Sequence, residues 1–263
     1  MPPLTVEVDE RHGGRWTSLR TSTREWLWRN PAVADARAAV RPGAAFVDAG
    51  GGEECFPTVR GEPDHGDVWT RDWRHGDVRT GALGLHRQIR TNGAATVTYD
   101  VTGPPGTPFV HAVHLLLDVS EQARLEAPAT VAHLLDGPGG TVPWPSGLDA
   151  LGPDDGTAVA AVLPGCAAAT VVDGPDALSL SWRVLADEAE CSLLLWRNLC
   201  GWPAGRPYRS IGVEPMLGTA ADLHGTGTPA TIPASGRLTW ELTLSVRNGL
   251  RPRRLRRPAG PRR

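Results

Sequence analysis

LTWELTLSV (238–246) carries Leu238, Trp240, Leu242, Leu244 and Val246 at every second position, with Thr239, Glu241, Thr243 and Ser245 between them. Alternation with a period of two places the apolar set on one face of a pleated strand and the polar set on the other. ALSLSWRVL (177–185) repeats the pattern with Leu178, Leu180, Trp182 and Val184, and a short acidic turn leads from it into ECSLLLWRN (190–198). Working outward, TVTYDV (96–101) runs into the turn signal GPPG, and PFVHAVHLLLDV (108–119) reads as one long strand with an apolar centre. RWTSLR (15–20) and REWLW (24–28), joined by a small polar connection, read as a hairpin. Helical signals are confined to PAVADARAAV (31–40) and EQARLEA (121–127), and no Rossmann or P-loop glycine fingerprint occurs. Many strands closely spaced by turns predict an all-β chain folded as a large antiparallel β-sandwich.

Composition narrows the function classes. The chain has 263 residues, 40% hydrophobic and 21% charged, which suits a globular protein able to bury a large core. It contains no lysine; all 27 basic residues are arginine. Schiff-base chemistry, a pyridoxal anchor and a P-loop lysine are thereby excluded. Ten Trp against three Phe and two Tyr supply flat apolar surface carrying one donor each, suited to cores and to sugar faces. Residues 251–263 hold seven arginines and no acid. Without them, 20 Arg face 29 acids, so the body is near −9 and ill-suited to nucleic acid. The expected organisation is a single sandwich domain over residues 1–250 and a disordered Arg-rich tail over 251–263. The N-terminus lacks a basic and an apolar leader region, no apolar run is long enough to span a membrane, and Cys55, Cys166, Cys191 and Cys200 show no CxxC spacing. These features predict a cytoplasmic protein with reduced thiols, neither a disulfide framework nor a zinc site.

Four segments stand out from the strand background. DAGGGEECFPTV (48–59) sets a glycine triplet before Glu53 and Glu54, acids that would repel phosphate; a structural turn is the blander reading. DHGDVWTRDW (64–73) packs His65, Asp67, Trp69, Arg71 and Trp73 into ten residues, a mixture of flat apolar faces and planar hydrogen-bonding groups that a sugar pocket needs. A metal site from His65, Asp67 and His75 fits no standard ligand spacing. HAVHLLLD (111–118) places His111 and His114 three apart, on opposite faces of a regular strand, so only one of them faces any given pocket. SIGVEPMLG (210–218) sets Glu214 in apolar surroundings, the setting of a general base, with a solvated strand-end acid as the alternative.

In order along the chain, GGRWTSLR and REWLW, GGGEECFPTV, the His-Gly of DHGDVW, PFVHAVHLLLD, IGVEPMLG and IPASGRLTWELTLSV make the chain resemble the aldose 1-epimerase, or galactose mutarotase-like, family over about residues 13–248. The resemblance implies a β-supersandwich with the sugar in a cleft, and ring opening without a metal or other cofactor. It implies Glu214 as the base at the anomeric hydroxyl, His114 as the acid at the ring oxygen, and His65 as a second pocket histidine. Arg71, Asp67, Trp69 and Trp73 would contact the sugar. The sequence departs from the family pattern in three places. His114 is followed by Leu-Leu-Leu-Asp rather than x-Tyr-Phe-Asn. Trp69 stands where an arginine is usual, with Arg71 two residues on. The sugar-orienting aspartate has no clear match, though Asp154 and Asp155 lie in a suitable turn.

The function expected is therefore an aldose 1-epimerase-like isomerase acting on a small-molecule sugar, as a monomer or homodimer, with no nucleic acid or membrane partner for the folded part. The alternatives are a non-catalytic carbohydrate-binding protein on the same fold and a glycoside-processing lyase or hydrolase. Hydrolysis normally needs two carboxylates flanking the glycosidic bond, and Glu214 is the one good candidate. The acidic body argues against a phosphorylated sugar, with Arg71, Arg206 and Arg209 as a conceivable local clamp.

Overall fold

The structure is a computed structural model that describes residues 2–136 and 139–249. The Arg-rich tail therefore lies outside the described residues. Two large antiparallel sheets face each other. The nine-stranded sheet runs, edge to edge, Thr5–Asp9, Arg15–Arg20, Gly52–Cys55, His111–Leu117, Tyr208–Leu217, Cys191–Trp202, Thr157–Pro164, Val131–Leu134 and Gly140–Pro143. The seven-stranded sheet runs Asp77–Thr80, Leu83–Asn92, Ala94–Thr102, Arg237–Arg247, Asp176–Ala186, Ala168–Asp173 and Arg124–Glu126. The all-β sandwich read from the alternating stretches is the fold observed. Leu238, Trp240, Leu242, Leu244 and Val246 are all buried in the layer between the sheets, as their spacing requires. Each such burial is worth about 1.5–3 kcal/mol relative to exposure. No helix of the described residues is long and apolar enough to cross a membrane.

Three local expectations are corrected. REWLW does not form the second arm of a hairpin. A single bridge joins Arg20 to Glu25, and Leu27 bridges to Leu117 instead. Two backbone bonds flank the Arg20–Glu25 bridge, from Thr21 N to the Arg24 carbonyl and from Trp26 N to the Leu19 carbonyl, and the ladder goes no further: Glu25 Oε1 accepts from the backbone N–H of Leu19, Trp26 and Leu27. EQARLEA is not a helix: Arg124–Glu126 is a strand that buries Leu125 and pairs with Ala168–Asp173. Burial of one residue in three neighbours has outweighed its helix-forming composition. PFVHAVHLLLDV breaks at Val110; Pro108–Phe109 pairs with Ala230–Thr231, and His111–Leu117 enters the large sheet. PAVADARAAV holds a 3₁₀ turn at Pro31–Val33 and a short α-helix at Ala34–Ala38.

Between the sheets lies one polar cluster. Glu54 is fully buried and accepts from Trp16 Nε1 (2.9 Å), Arg87 Nη1 (2.7 Å), the Tyr99 hydroxyl (3.0 Å) and His111 Nε2 (3.0 Å). Trp16 and His111 belong to the large sheet, Arg87 and Tyr99 to the smaller one, so the carboxylate pins the layers together. His111 Nδ1 accepts from Trp240 Nε1 at 3.2 Å, which leaves Nε2 to carry the proton given to Glu54. Burial alone would raise the Glu54 pKa, but the hydrogen bond from His111 and the charge of Arg87 outweigh it and lower it to about 2. Because the folded-state value is depressed, the stability Glu54 contributes is present above the ordinary carboxylate range and lost as pH falls toward about 2. Glu54→Ala strands the buried Arg87 and is expected to cost about 3–5 kcal/mol. Urea denaturation at neutral pH measures that loss, and an unchanged midpoint would refute the pinning role.

Candidate functional site

The strands Gly52–Cys55, His111–Leu117 and Tyr208–Leu217 are neighbours, and their register decides which side chains meet. Glu53 lies opposite His114, and Glu54 opposite Val113. Gly212 pairs with Leu116 and Met216 with Ala112, which brings Glu214 alongside His114. The alternation sends Glu54, His111 and Val213 into the intersheet core and Glu53, His114 and Glu214 to the outer face. His111 and His114 thus face opposite ways, as their spacing requires. A small apolar cluster containing Cys55, Val59, Ala112, Leu194 and Met216 continues the outer face.

That face floors a cavity of about 400 Å³, near the lower end of small-molecule sites. His65, His114 and Glu214 all line it. His114 Nδ1 lies 2.8 Å from Glu214 Oε1, with both residues buried. The contact is an ion pair without hydrogen-bond alignment, and neither oxygen of Glu214 has a hydrogen-bond partner among the described residues. Gly212 makes room for this carboxylate: a Cβ there would fall 2.6 Å from Glu214 Oε1.

His65 reaches the cavity from the loop after Cys55. It has φ 59° in the left-handed region, and Gly66 follows with φ 69°. A Cβ at Gly66 would come within 2.1 Å of the Phe56 carbonyl oxygen, so the glycine after His65 is a backbone requirement. Phe46 stacks flat on the His65 ring with centroids 3.5 Å apart, and the His65 and His114 rings meet edge to face at 5.2 Å. His65 Nδ1 is 3.0 Å from Asp64 Oδ2.

The surroundings push the two histidines in opposite directions. Burial lowers the pKa of His65 and outweighs the Asp64 carboxylate beside it, so the ring is held neutral. Burial acts the same way on His114, but Glu214 first, then Asp48 and Glu53, overcome it and raise the pKa. Divergent protonation of neighbouring groups is what acid/base work at one centre uses. Glu53 is held by Arg37 Nε and Nη2 at 2.9 and 3.0 Å, which ties the Ala34–Ala38 helix to the sheet behind His114. The thiol of Cys55, on the same face, is pushed well up by burial and by the charges of Glu214 and Glu53.

The expected sugar contacts on 67–73 are corrected. Val68–Thr70 is a single 3₁₀ turn that buries Val68, Trp69 and Thr70, so the indoles turn into the protein. Trp69 Nε1 donates to the Gly66 carbonyl and Trp73 Nε1 to that of Val68. Arg71 and Asp67 pair with each other at 2.6 Å, and none of these four residues lines the cavity. Asp154 and Asp155 lie beside Cys200 and Arg197, and Arg209 donates to the carbonyls of Val119, Ser120 and Leu151. The cavity is lined instead by Phe46, Asp48, Asp64, Trp196, Trp202 and an exposed Arg60–Asp136 pair, among others. Asp48 Oδ2 accepts from the Tyr208 hydroxyl at 2.6 Å, while Oδ1 is buried without a partner. Trp196 was within reach of sequence reasoning, since it shares the face of Leu194 in an alternating strand. Phe46 and Asp48, in AAFVDAG, carry no periodic signal.

No family model and no curated protein matches the chain. Solved structures do. An Escherichia coli K12 protein provisionally named an aldose 1-epimerase aligns with TM-score 0.65 at 17% identity, over 93% of this chain and 96% of that one. A Klebsiella pneumoniae protein with the same provisional name gives 0.67 at 15%, over 94% and 77%. A galactose mutarotase-like protein from Lactobacillus casei gives 0.59 at 16%, over 93% and 97%. At such identities the likeness is one of fold, and the fold is the galactose mutarotase-like one.

Because its folded-state pKa is raised, His114 keeps its proton to higher pH than an ordinary histidine does. In Glu214→Gln the titration midpoint falls, and in Gly212→Ala, which crowds the carboxylate away, it falls partway. The imidazole C–H proton resonances followed against pH report both; a midpoint indifferent to Glu214 would refute the pairing.

Proposed function

We propose that this chain is an aldose 1-epimerase-like isomerase that interconverts the anomers of a free hexose by acid/base ring opening. The observation that carries the reading is the His114–Glu214 pair, an imidazole biased toward its charged form against a carboxylate, buried on the floor of a sugar-sized cavity. Glu214 takes the proton from the anomeric hydroxyl while His114 gives its proton to the ring oxygen. The C1–O5 bond breaks, leaving an open-chain aldehyde. Rotation about C1–C2 presents the other carbonyl face, and the two residues exchange roles as the ring closes. Neutral His65, with Asp64 beside Nδ1, keeps its Nε2 lone pair to accept from a sugar hydroxyl. Asp48 Oδ1, buried and unpartnered, is a second acceptor for the substrate. Every step uses only groups of this chain. The four unpaired cysteines suit a cytoplasmic setting.

Glu214→Gln removes the base while keeping the shape of the side chain. Mutarotation of fresh α-anomer, followed by polarimetry over a panel of aldoses, is expected to slow by about 10²–10⁴-fold. Sugar binding by calorimetry stays within a few-fold of wild type. Equal rates for the two proteins would remove Glu214 from the mechanism, and binding of sugars with no mutarotation in either protein would favour a carbohydrate-binding role.

A further inference from the structure

The strands Cys191–Trp202 and Tyr208–Leu217 pair regularly up to Leu199 opposite Arg209; the next pair is Trp202 with Tyr208. Cys200 and Gly201 are therefore extra residues on one strand, a bulge at the end of the hairpin. The bulge is costly, because Cys200 takes φ 65° in the left-handed region. It is held by a dedicated side chain. Asn198 is fully buried, its Oδ1 accepts from Gly201 N and Trp202 N, both at 3.0 Å, and its Nδ2 donates to the Trp202 carbonyl at 2.9 Å.

The product of this arrangement is the placement of one indole. Trp202 is 46% exposed, against at most 3% for Trp16, Trp26, Trp69, Trp73, Trp182 and Trp240. It stands on the wall of the cavity that holds His114 and Glu214. Trp196, further in, meets it edge to face at 6.0 Å, and Tyr208 meets it at 5.9 Å. Tyr208 in turn stacks on Trp28 at 5.6 Å while its hydroxyl holds Asp48. The aromatic shelf is thus continuous with the acid/base centre.

We infer that this shelf is a second saccharide subsite specific to this chain, where Trp202 makes the site prefer a reducing disaccharide to its reducing-end monosaccharide, the reducing ring in the cavity and the next pyranose against the indole. The inference rests on the proposed ring-opening reading for the position of the reducing ring. An exposed indole supplies the flat apolar face on which the C–H face of a pyranose packs. The occupant is a neutral sugar, because Asp48, Asp64, Asp136 and Glu214 line the same cavity and the guanidinium of Arg60 is already paired with Asp136. The free anomeric hydroxyl must remain at Glu214, so the second ring is joined through another hydroxyl of the first.

The test is calorimetric and does not depend on turnover. Wild type, Trp202→Ala and Trp202→Phe are titrated with glucose and galactose and with maltose, cellobiose, lactose, laminaribiose, melibiose and isomaltose. At least one disaccharide is expected to bind wild type about tenfold more tightly than its reducing-end monosaccharide, the scale of one stacked aromatic contact. Trp202→Ala collapses that ratio, and Trp202→Phe retains most of it. No disaccharide preference in wild type, or a preference that survives Trp202→Ala, overturns the subsite. Polarimetry on the same sugars separates the two readings. A Trp202-dependent disaccharide preference without mutarotation sustains the subsite and sinks the isomerase, whereas mutarotation without the preference does the reverse.

Discussion

A carboxylate sealed between two sheets is tolerable only if donors surround it, and Glu54 has four from both layers, three on Oε1 and one on Oε2. That satisfaction dictates more than stability. Glu53 and Glu54 are consecutive on an extended strand, so whichever points inward, the other points out. A slip of one residue would bury Glu53 against Trp16, Tyr99 and His111 and remove its carboxylate from the neighbourhood of His114. The same parity governs the adjoining strands, where His111 goes in and His114 out, and Val213 goes in and Glu214 out. The His114–Glu214 pair is the outer expression of a register secured from within.

The electrostatics of the outer face follow from that geometry. Three carboxylates, of Glu214, Asp48 and Glu53, raise the pKa of one buried histidine, while a second histidine nearby stays under the control of desolvation. Glu53 is held behind His114 by Arg37, with Arg15 Nε also 3.3 Å from its Oε1. The single α-helix of the described residues thus has a purpose in the site, although it contributes no group to the cavity lining.

Much of this was legible in the chain. Strict alternation at 238–246 and 177–185 disclosed both the strands and their buried faces, because an apolar side chain gains the same free energy wherever it is enclosed. His65, His114 and Glu214 were legible as a set through ordered motifs, and the structure brings them to one cavity. Local hydrogen bonding was harder to see. Glu25 collects three backbone N–H bonds on one oxygen where the short 19–26 ladder ends, a contest between side chain and backbone that periodicity cannot register. The Trp-rich stretch 68–73 misled for a related reason, since a single 3₁₀ turn decides whether an indole faces sugar or core. Trp202 owes its exposure to an Asn-held bulge, and Asp48 owes its place in the cavity to a loop with no repeating pattern, so neither announces itself by spacing.

The thiol of Cys55 sits on the site face with its pKa driven up by burial and by neighbouring carboxylates. An aldose opened at the proposed centre is an aldehyde, and aldehydes condense with amines and add thiolates. This chain has no lysine to form an imine with it, and Cys55 is kept as an unreactive thiol. The carboxylates that keep the proton on His114 thus also keep the Cys55 thiol protonated, so an aldehyde formed at the proposed centre would meet neither a lysine amine nor a thiolate there.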